Sequence, residues 1–125
     1  MLLAYLAVNA VLYAAFALWC TFAPRTTAAW LGLAPTGPGG ESEYLAVYGG
    51  LQAGLALFYG LACWQEAHRH AALLLSVALY AGLVALRSLA IVRTGFAALG
   101  NARFAYGLEV VLLLVALLLW WRRGS

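Results

Sequence analysis

The sequence contains no lysine and no aspartate, and its charged side chains are seven arginines and four glutamates, 9% of the 125 residues. A soluble domain carries about 25% charged and about 45–50% apolar residues, whereas 66% of this chain is apolar. Eleven charges cannot cover the surface of a water-soluble fold, which excludes a soluble enzyme. The chain is therefore expected to reside in a lipid bilayer.

The positive charge is sparse and scattered. The net charge is +3, but the arginines form no basic run or patch along the chain. Nucleic-acid binding needs lysine and arginine clustered on one face. We therefore expect no nucleic-acid partner.

Four apolar segments are long enough to cross a hydrocarbon core of about 30 Å, which takes about 20 helical residues. They cover residues 1–22, 43–64, 71–93 and 102–121. Because the turns after the second and third segments are short, consecutive helices are expected to be antiparallel neighbours. The sequence predicts a single domain over residues 1–125. Its fold class is an all-α integral membrane protein with an antiparallel up-down four-helix transmembrane bundle.

The longest connection lies between the first two spans. Pro24 suits the first turn of a short helix over residues 24–33, whose apolar face includes Trp30, and this predicts an interfacial helix. Residues 34–40 contain two prolines and three glycines, which predicts a loop. Ser42 is expected to cap the second span.

Orientation is weakly encoded. With an even number of crossings, the termini and the 65–70 turn lie on one side of the membrane, and the 23–43 connection and the 94–101 turn lie on the other. Each side then carries three arginines, a tie under the positive-inside rule. His68 and His70 favour the cytoplasm for the side that holds the termini, so we expect cytoplasmic termini.

The second span carries a glycine motif, E-x-x-x-x-Y-G-G-x-x-x-G, within the sequence EYLAVYGGLQAGL of residues 43–55. Trp19, Phe22 and Pro24 precede it at the end of the first helix. These features resemble a family of small four-helix bacterial membrane proteins, the domain of unknown function 4345. The likeness extends over nearly the whole chain in length, span order and the position of Arg87. It implies a bundle in the bacterial inner (cell) membrane with no assigned reaction.

Arg87 and Glu109 are charged residues at membrane depth, where each costs about 2.5–3.5 kcal/mol on insertion scales. Arg87 lies about 9 Å from the end of the third span, and Glu109 lies about 10.5 Å from the start of the fourth. On antiparallel neighbours these depths match. The two side chains are expected to form a bidentate ion pair that lowers the burial cost of both.

Other polar side chains are expected at a similar depth. Tyr44, Tyr48 and Gln52 are spaced four residues apart and would share one face of an α-helix. Tyr106 lies one turn before Glu109. The predicted ligand-binding residues are Arg87, Glu109, Gln52, Tyr48, Tyr106 and Glu43. Two alternatives remain open: the ion pair fastens the helices together, or the polar cluster conducts protons or ions.

Small residues recur every four positions along the second span, at Ala46, Gly50 and Gly54. A small-x-x-x-small ridge lets another helix approach closely, so these residues are predicted to mediate helix packing. The partner is either another helix of the same bundle or the same helix of a second copy in a homodimer.

The sequence contains no catalytic motif. His68 and His70 have only Glu66 nearby, a thin ligand set for a metal, and a solvated turn is expected. No nucleophile motif, phosphate-binding loop or cofactor fingerprint is present. We therefore predict no catalytic residue, no cofactor and no metal, and an enzyme is the least supported interpretation.

The favoured interpretation is a small inner-membrane protein that binds an amphipathic or lipid-like small molecule in an intramembrane polar pocket. In it Arg87 anchors an anion, Glu109 supplies the counter-charge, and the neighbouring polar side chains orient the ligand. The expected partners are membrane lipid and a small amphipathic ligand. One alternative is a structural or accessory membrane subunit in which the Arg87–Glu109 pair only joins helices. Another is a small oligomeric transporter or channel.

Overall fold

The computed structural model describes residues 1–95 and 100–124, and every regular element in them is a helix. Part of the predicted 94–101 turn, residues 96–99, lies outside the described residues. The chain forms two compact units, Met1–Arg69 and His70–Ser125.

Four helices are long and apolar enough to cross a membrane: Leu2–Phe22, Gly37–Trp64, Glu66–Thr94 and Arg103–Arg122. The prediction of an all-helical chain with four membrane-length helices is therefore confirmed by length and composition. The observed bounds differ from the predicted ones mainly at the start of the second and third helices.

Helices α1 (Leu2–Phe22) and α2 (Pro24–Leu31) follow one another with only Ala23 between them. Pro24 is the first residue of α2. The N–H groups of a first helical turn have no intrahelical partner, so the missing N–H of proline costs no hydrogen bond there. Gly32 ends α2 with φ of 80°, a left-handed conformation that glycine adopts without steric cost. The predicted short helix is present and ends at Leu31 rather than at residue 33.

Helix α3 (Gly37–Trp64) begins six residues before the predicted start of the second span. The prediction of a loop through residue 40 and of Ser42 as the cap is wrong, because Thr36 is the N-cap. A proline in the first helical turn removes no hydrogen bond, so Pro38 fits there. Gly40 N–H already donates to the Thr36 carbonyl at 3.2 Å.

Residues Leu45–Leu51 within α3 are π-helical. A π-helical turn bonds residues five apart instead of four, so an α-helical period cannot be carried through this segment. Gly49 lies in it and is buried, and a Cβ added there would lie 3.0 Å from Thr21 Oγ1 of α1. The absence of a side chain at Gly49 therefore allows α3 to approach α1 closely.

Aromatic side chains fill the space between α1 and α3 in the first unit. The rings of Tyr13 and Tyr59 stack with centroids 5.8 Å apart, and Phe16 meets Tyr48 edge to face at 6.4 Å. Tyr59 is fully buried. These large contacts supply the packing energy that a membrane interior does not supply through the hydrophobic effect.

The first unit ends in a polar turn that Arg69 ties to α3. Glu66–His68 forms one 3-10 turn, and α4 (Arg69–Thr94) begins two residues before the predicted third span. Arg69 Nε donates to the Ala62 carbonyl at 3.1 Å, and its Nη2 donates to the Cys63 carbonyl at 2.9 Å. The guanidinium thus satisfies carbonyls that the end of α3 leaves without intrahelical partners.

The second unit contains the rest of α4 and helix α5 (Ala102–Gly124). Near the start of α4, the ring of His70 lies 4.8 Å from that of Trp120 near the end of α5. Near the other end of α4, Ser88 Oγ lies 3.0 Å from Tyr106 OH. The charged pair at membrane depth belongs to the same two helices.

Candidate functional site

Arg87 of α4 and Glu109 of α5 form an ion pair. Arg87 Nε lies 2.5 Å from Glu109 Oε1. The structure thus brings together the two charged residues that the sequence places at equal depth. The contact is made by Nε, the guanidinium nitrogen nearest the main chain.

The two partners differ in exposure. The Glu109 side chain is 9% exposed, whereas that of Arg87 is 31% exposed. The carboxylate therefore depends on the arginine for compensation of its charge, while the guanidinium also reaches a surface. This asymmetry distinguishes the pair from an ion pair enclosed on all sides.

A pair of hydroxyls joins the same two helices near the ion pair in sequence. Tyr106, one of the predicted site residues, lies 3.0 Å from the hydroxyl of Ser88, the residue after Arg87. Sequence reasoning missed Ser88. Its position beside an intramembrane arginine was the available signal, since a serine hydroxyl at that depth needs a partner.

The surface beside Arg87 is an open, shallow apolar groove whose lining residues all belong to α4, so it follows one face of that helix. Arg87 is the charged residue of its lining. The other lining residues are Ala78, Leu79, Gly82, Leu83, Leu86 and Ala90. The groove is therefore an apolar track along α4 with one cationic group.

Three further predicted site residues belong to the first unit. Glu43 and Tyr48 line one open groove between the segment after α2 and the first turns of α3. Gln52 is the first residue after the π-helical segment and is half-buried. A single pocket shared by all six predicted residues stays a prediction.

Tyr44 occupies a buried hydrogen-bonded position in the first unit. Its hydroxyl lies 2.6 Å from Thr27 Oγ1 and donates to Cys20 Sγ at 3.7 Å. Sequence reasoning placed Tyr44 on a polar helix face and missed its two partners. Thr27 lies on a short helix of mixed polarity, and its burial cannot be deduced from spacing within α3.

The predicted packing ridge on α3 is exposed at Ala46, Gly50 and Gly54. A Cβ added at Gly54 would meet no described atom within 4 Å, and one at Gly50 would meet only the Leu45 carbonyl, at 3.9 Å. The glycine that α1 approaches is Gly49 instead. The role of the ridge in helix packing stays a prediction.

The two histidines of the 65–70 turn have different surroundings. His68 is exposed, while His70 packs against Trp120. Among the residues that the structure describes, no group of three or more histidine, cysteine, aspartate or glutamate side chains is placed to hold a metal ion.

Comparison with known protein families identifies a family for this chain. The family model of the Domain of unknown function (DUF4345) matches residues 1–122. No curated protein and no solved structure matches the sequence. The matched region includes all four membrane-length helices and the Arg87–Glu109 pair.

Proposed function

The chain belongs to the DUF4345 family, and we propose that it is a membrane protein that binds an amphipathic, lipid-like molecule through the guanidinium of Arg87. The ligand carries an anionic head group. Its apolar chain lies along the groove of α4. The observation that carries this proposal is the partial exposure of Arg87 beside an apolar groove, with a buried carboxylate on its Nε.

The Arg87 guanidinium has enough N–H donors to bind both Glu109 and the anionic head group. Arginine carries five N–H donors, and the Nε group provides one of them. Glu109 occupies the Nε position. A phosphate or carboxylate head group in the groove would accept hydrogen bonds from the Nη nitrogens, which suit a planar, bidentate anion.

Glu109 acts as a positioning residue in this account. An arginine in lipid reaches towards the interface when nothing holds it. The buried carboxylate holds the guanidinium beside the groove instead. The hydrogen bond between Ser88 and Tyr106 joins the same two helices and helps to hold Arg87 and Glu109 at matching positions.

We also propose that the helices within each unit run antiparallel. In the first unit, Tyr13 contacts Tyr59, whereas Cys20, later in α1, contacts Tyr44, earlier in α3. In the second unit, His70 contacts Trp120, whereas Arg87 contacts Glu109. In both units, residues later in the first helix contact residues earlier in the second helix, which is the pattern of antiparallel neighbours.

Helix α2 is proposed to lie at the membrane interface. Its Thr27 and Ala28 are buried, its Arg25 is exposed, and its Trp30 packs against Trp19 at 5.9 Å. Tryptophan is enriched at the lipid–water boundary. The bacterial inner membrane, with both termini in the cytoplasm, is the location that we propose.

A second candidate function is a structural membrane subunit in which the ion pair only fastens α4 to α5. The burial of Glu109 favours it, because a buried carboxylate beside an arginine stabilises helix contact without any ligand. In that case the exposed part of Arg87 would bind nothing.

Native mass spectrometry in dodecyl maltoside distinguishes the two. Dodecyl phosphate is titrated into the wild type, Arg87→Gln, Arg87→Lys and the control Arg93→Gln, which removes an exposed arginine of the same helix. Loss of charge-assisted hydrogen bonds worth about 1.5 kcal/mol should weaken dodecyl phosphate binding about tenfold in Arg87→Gln. Arg87→Lys should retain part of it, and Arg93→Gln all of it.

Circular dichroism establishes that the variants keep their helix content. A wild type that binds dodecyl phosphate no better than neutral dodecyl glucoside rules out the anion site. Equal binding by folded Arg87→Gln and the wild type does the same.

A further inference from the structure

An open groove in the first unit lies between the segment that follows α2 and the first turns of α3. Its volume is about 320 Å³. Its lining residues are Leu33, Ala34, Pro35, Gly40, Glu43, Tyr44, Val47 and Tyr48. The two walls come close together at Gly40, where an added Cβ would lie 3.3 Å from the Pro35 carbonyl carbon.

Glu43 gives this groove a negative charge. It is exposed and is the one acidic side chain of the lining. Within the described part of the chain, Arg87 and Glu109 form the ion pair, and no described cationic side chain pairs with Glu43. A cationic ligand would therefore find an uncompensated carboxylate on the wall.

Two tyrosine rings lie beside Glu43 along α3. Tyr44 and Tyr48 stack with centroids 4.7 Å apart and planes 22° apart. The Thr27 hydroxyl holds Tyr44 from α2, and the ring of Phe16 meets Tyr48 from α1. The two rings are thus fixed by contacts with other helices before any ligand arrives.

The backbone that carries these rings is unusual. Tyr48 and Val47 belong to the π-helical segment Leu45–Leu51, whereas Glu43 and Tyr44 precede it in α-helical turns. Single π-helical turns are frequent at functional sites, because they re-aim side chains that an α-helix would place elsewhere. Here the segment follows Tyr44 and contains Tyr48.

We propose that this groove binds an organic ammonium group carried by an amphiphile. The carboxylate of Glu43 neutralises the cation, and the electron-rich ring of the half-buried Tyr48, backed by the buried ring of Tyr44, attracts it. Leu33, Pro35 and Val47 contact the methylenes next to the ammonium. The inference goes beyond the anion site at Arg87, because it assigns a ligand of opposite charge to residues of the first unit.

An ammonium suits this lining better than a metal ion does. A metal needs several oxygen, nitrogen or sulfur ligands, and the groove offers one carboxylate together with aromatic and aliphatic surface. A quaternary or primary ammonium needs one counter-charge and aromatic faces.

The test uses the full chain in dodecyl maltoside and native mass spectrometry, with dodecyltrimethylammonium as the probe. Removing the charge in Glu43→Gln should weaken binding of this probe by about tenfold. The matched control is Glu41→Gln, which removes an exposed glutamate of the same helix that does not line the groove. It should bind as the wild type does.

A second pair of variants tests the rings. Tyr48→Phe keeps the aromatic face and should retain dodecyltrimethylammonium binding, whereas Tyr48→Leu removes it and should weaken binding severalfold. Tetramethylammonium, added as competitor, identifies the source of the ligand. Competition only at a large excess indicates a lipid-like amine, and competition at concentrations equal to the probe indicates a free ammonium compound.

The proposal is overturned if the wild type binds dodecyltrimethylammonium no better than neutral dodecyl glucoside. It is also overturned if Glu43→Gln and Glu41→Gln bind the probe equally. Both variants replace exposed side chains, so circular dichroism should show unchanged helix content.

Discussion

The guanidinium of Arg87 meets the Glu109 carboxylate through Nε at 2.5 Å, yet the arginine side chain stays 31% exposed while that of the glutamate is 9% exposed. The pair is therefore buried on its acidic side and open on its basic side. An open basic side next to an apolar groove is suited to an anionic head group. The difference in exposure between Arg87 and Glu109 also predicts different losses of stability when each is replaced.

Removing the arginine should cost more stability than removing the acid. Arg87→Met leaves a buried carboxylate without a partner, which costs about 3–5 kcal/mol when the site cannot relax. Glu109→Gln leaves an arginine that can extend towards water, so its cost should be nearer 1 kcal/mol. Unfolding of both variants in mixed micelles gives the two values. Equal losses would show that exposure does not govern the energetics of this pair.

Arg69 should stabilise the end of α3. Its two hydrogen bonds, to the Ala62 and Cys63 carbonyls, involve a charged donor. Arg69→Gln should lower the free energy of unfolding by about 1–3 kcal/mol and speed hydrogen exchange in the last turn of α3. The control Arg25→Gln removes an exposed arginine and should change neither. An Arg69→Gln variant as stable as this control would contradict the capping role.

The exposed ridge on α3 allows a clean test of self-association. A Cβ added at Gly50, which is exposed, would meet only the Leu45 carbonyl among the described atoms, at 3.9 Å, so we expect Gly50→Leu to leave the monomer folded. If the ridge forms a homodimer seam, Gly50→Leu shifts the dimer to monomer in analytical ultracentrifugation. Gly49→Leu, which would press on Thr21, should instead destabilise the fold. A monomeric wild type would end the homodimer prediction.

The membrane-length helices and the ion pair were predictable because both follow from the cost of polarity in lipid. A run of about 20 apolar residues has few other uses. Two opposite charges at equal depth on neighbouring helices have a strong reason to meet. Both arguments need only the lengths of the apolar runs and the positions of the charged residues within them, which can be counted in the sequence.

The start of α3 was not predictable from composition. Prolines and glycines at residues 34–40 normally indicate a loop, yet the position of Pro38 in a first turn makes it compatible with a helix. The helix begins after the N-cap Thr36. Threonine is also common in loops, so its presence in the sequence does not identify it as a cap.

The π-helical segment and the Tyr44 cluster depend on contacts between elements. Tyr44 is held by Thr27 of α2 and Cys20 of α1, and Gly49 lies against Thr21. No periodicity within α3 encodes those partners. The sequence therefore showed Tyr48 and Glu43 as polar residues of a span, and the structure adds the groove that they line.

Lipid mass spectrometry on the double variant Arg87→Met, Glu109→Leu tests the anion site most directly. Replacing both partners with apolar residues of similar volume should leave stability close to that of the wild type, because no charge stays buried and unpaired. We expect the wild type to co-purify with an anionic amphiphile, and the double variant to melt near the wild-type temperature without it. A double variant of wild-type stability that retains the same amount of anionic amphiphile would contradict ligand binding at Arg87.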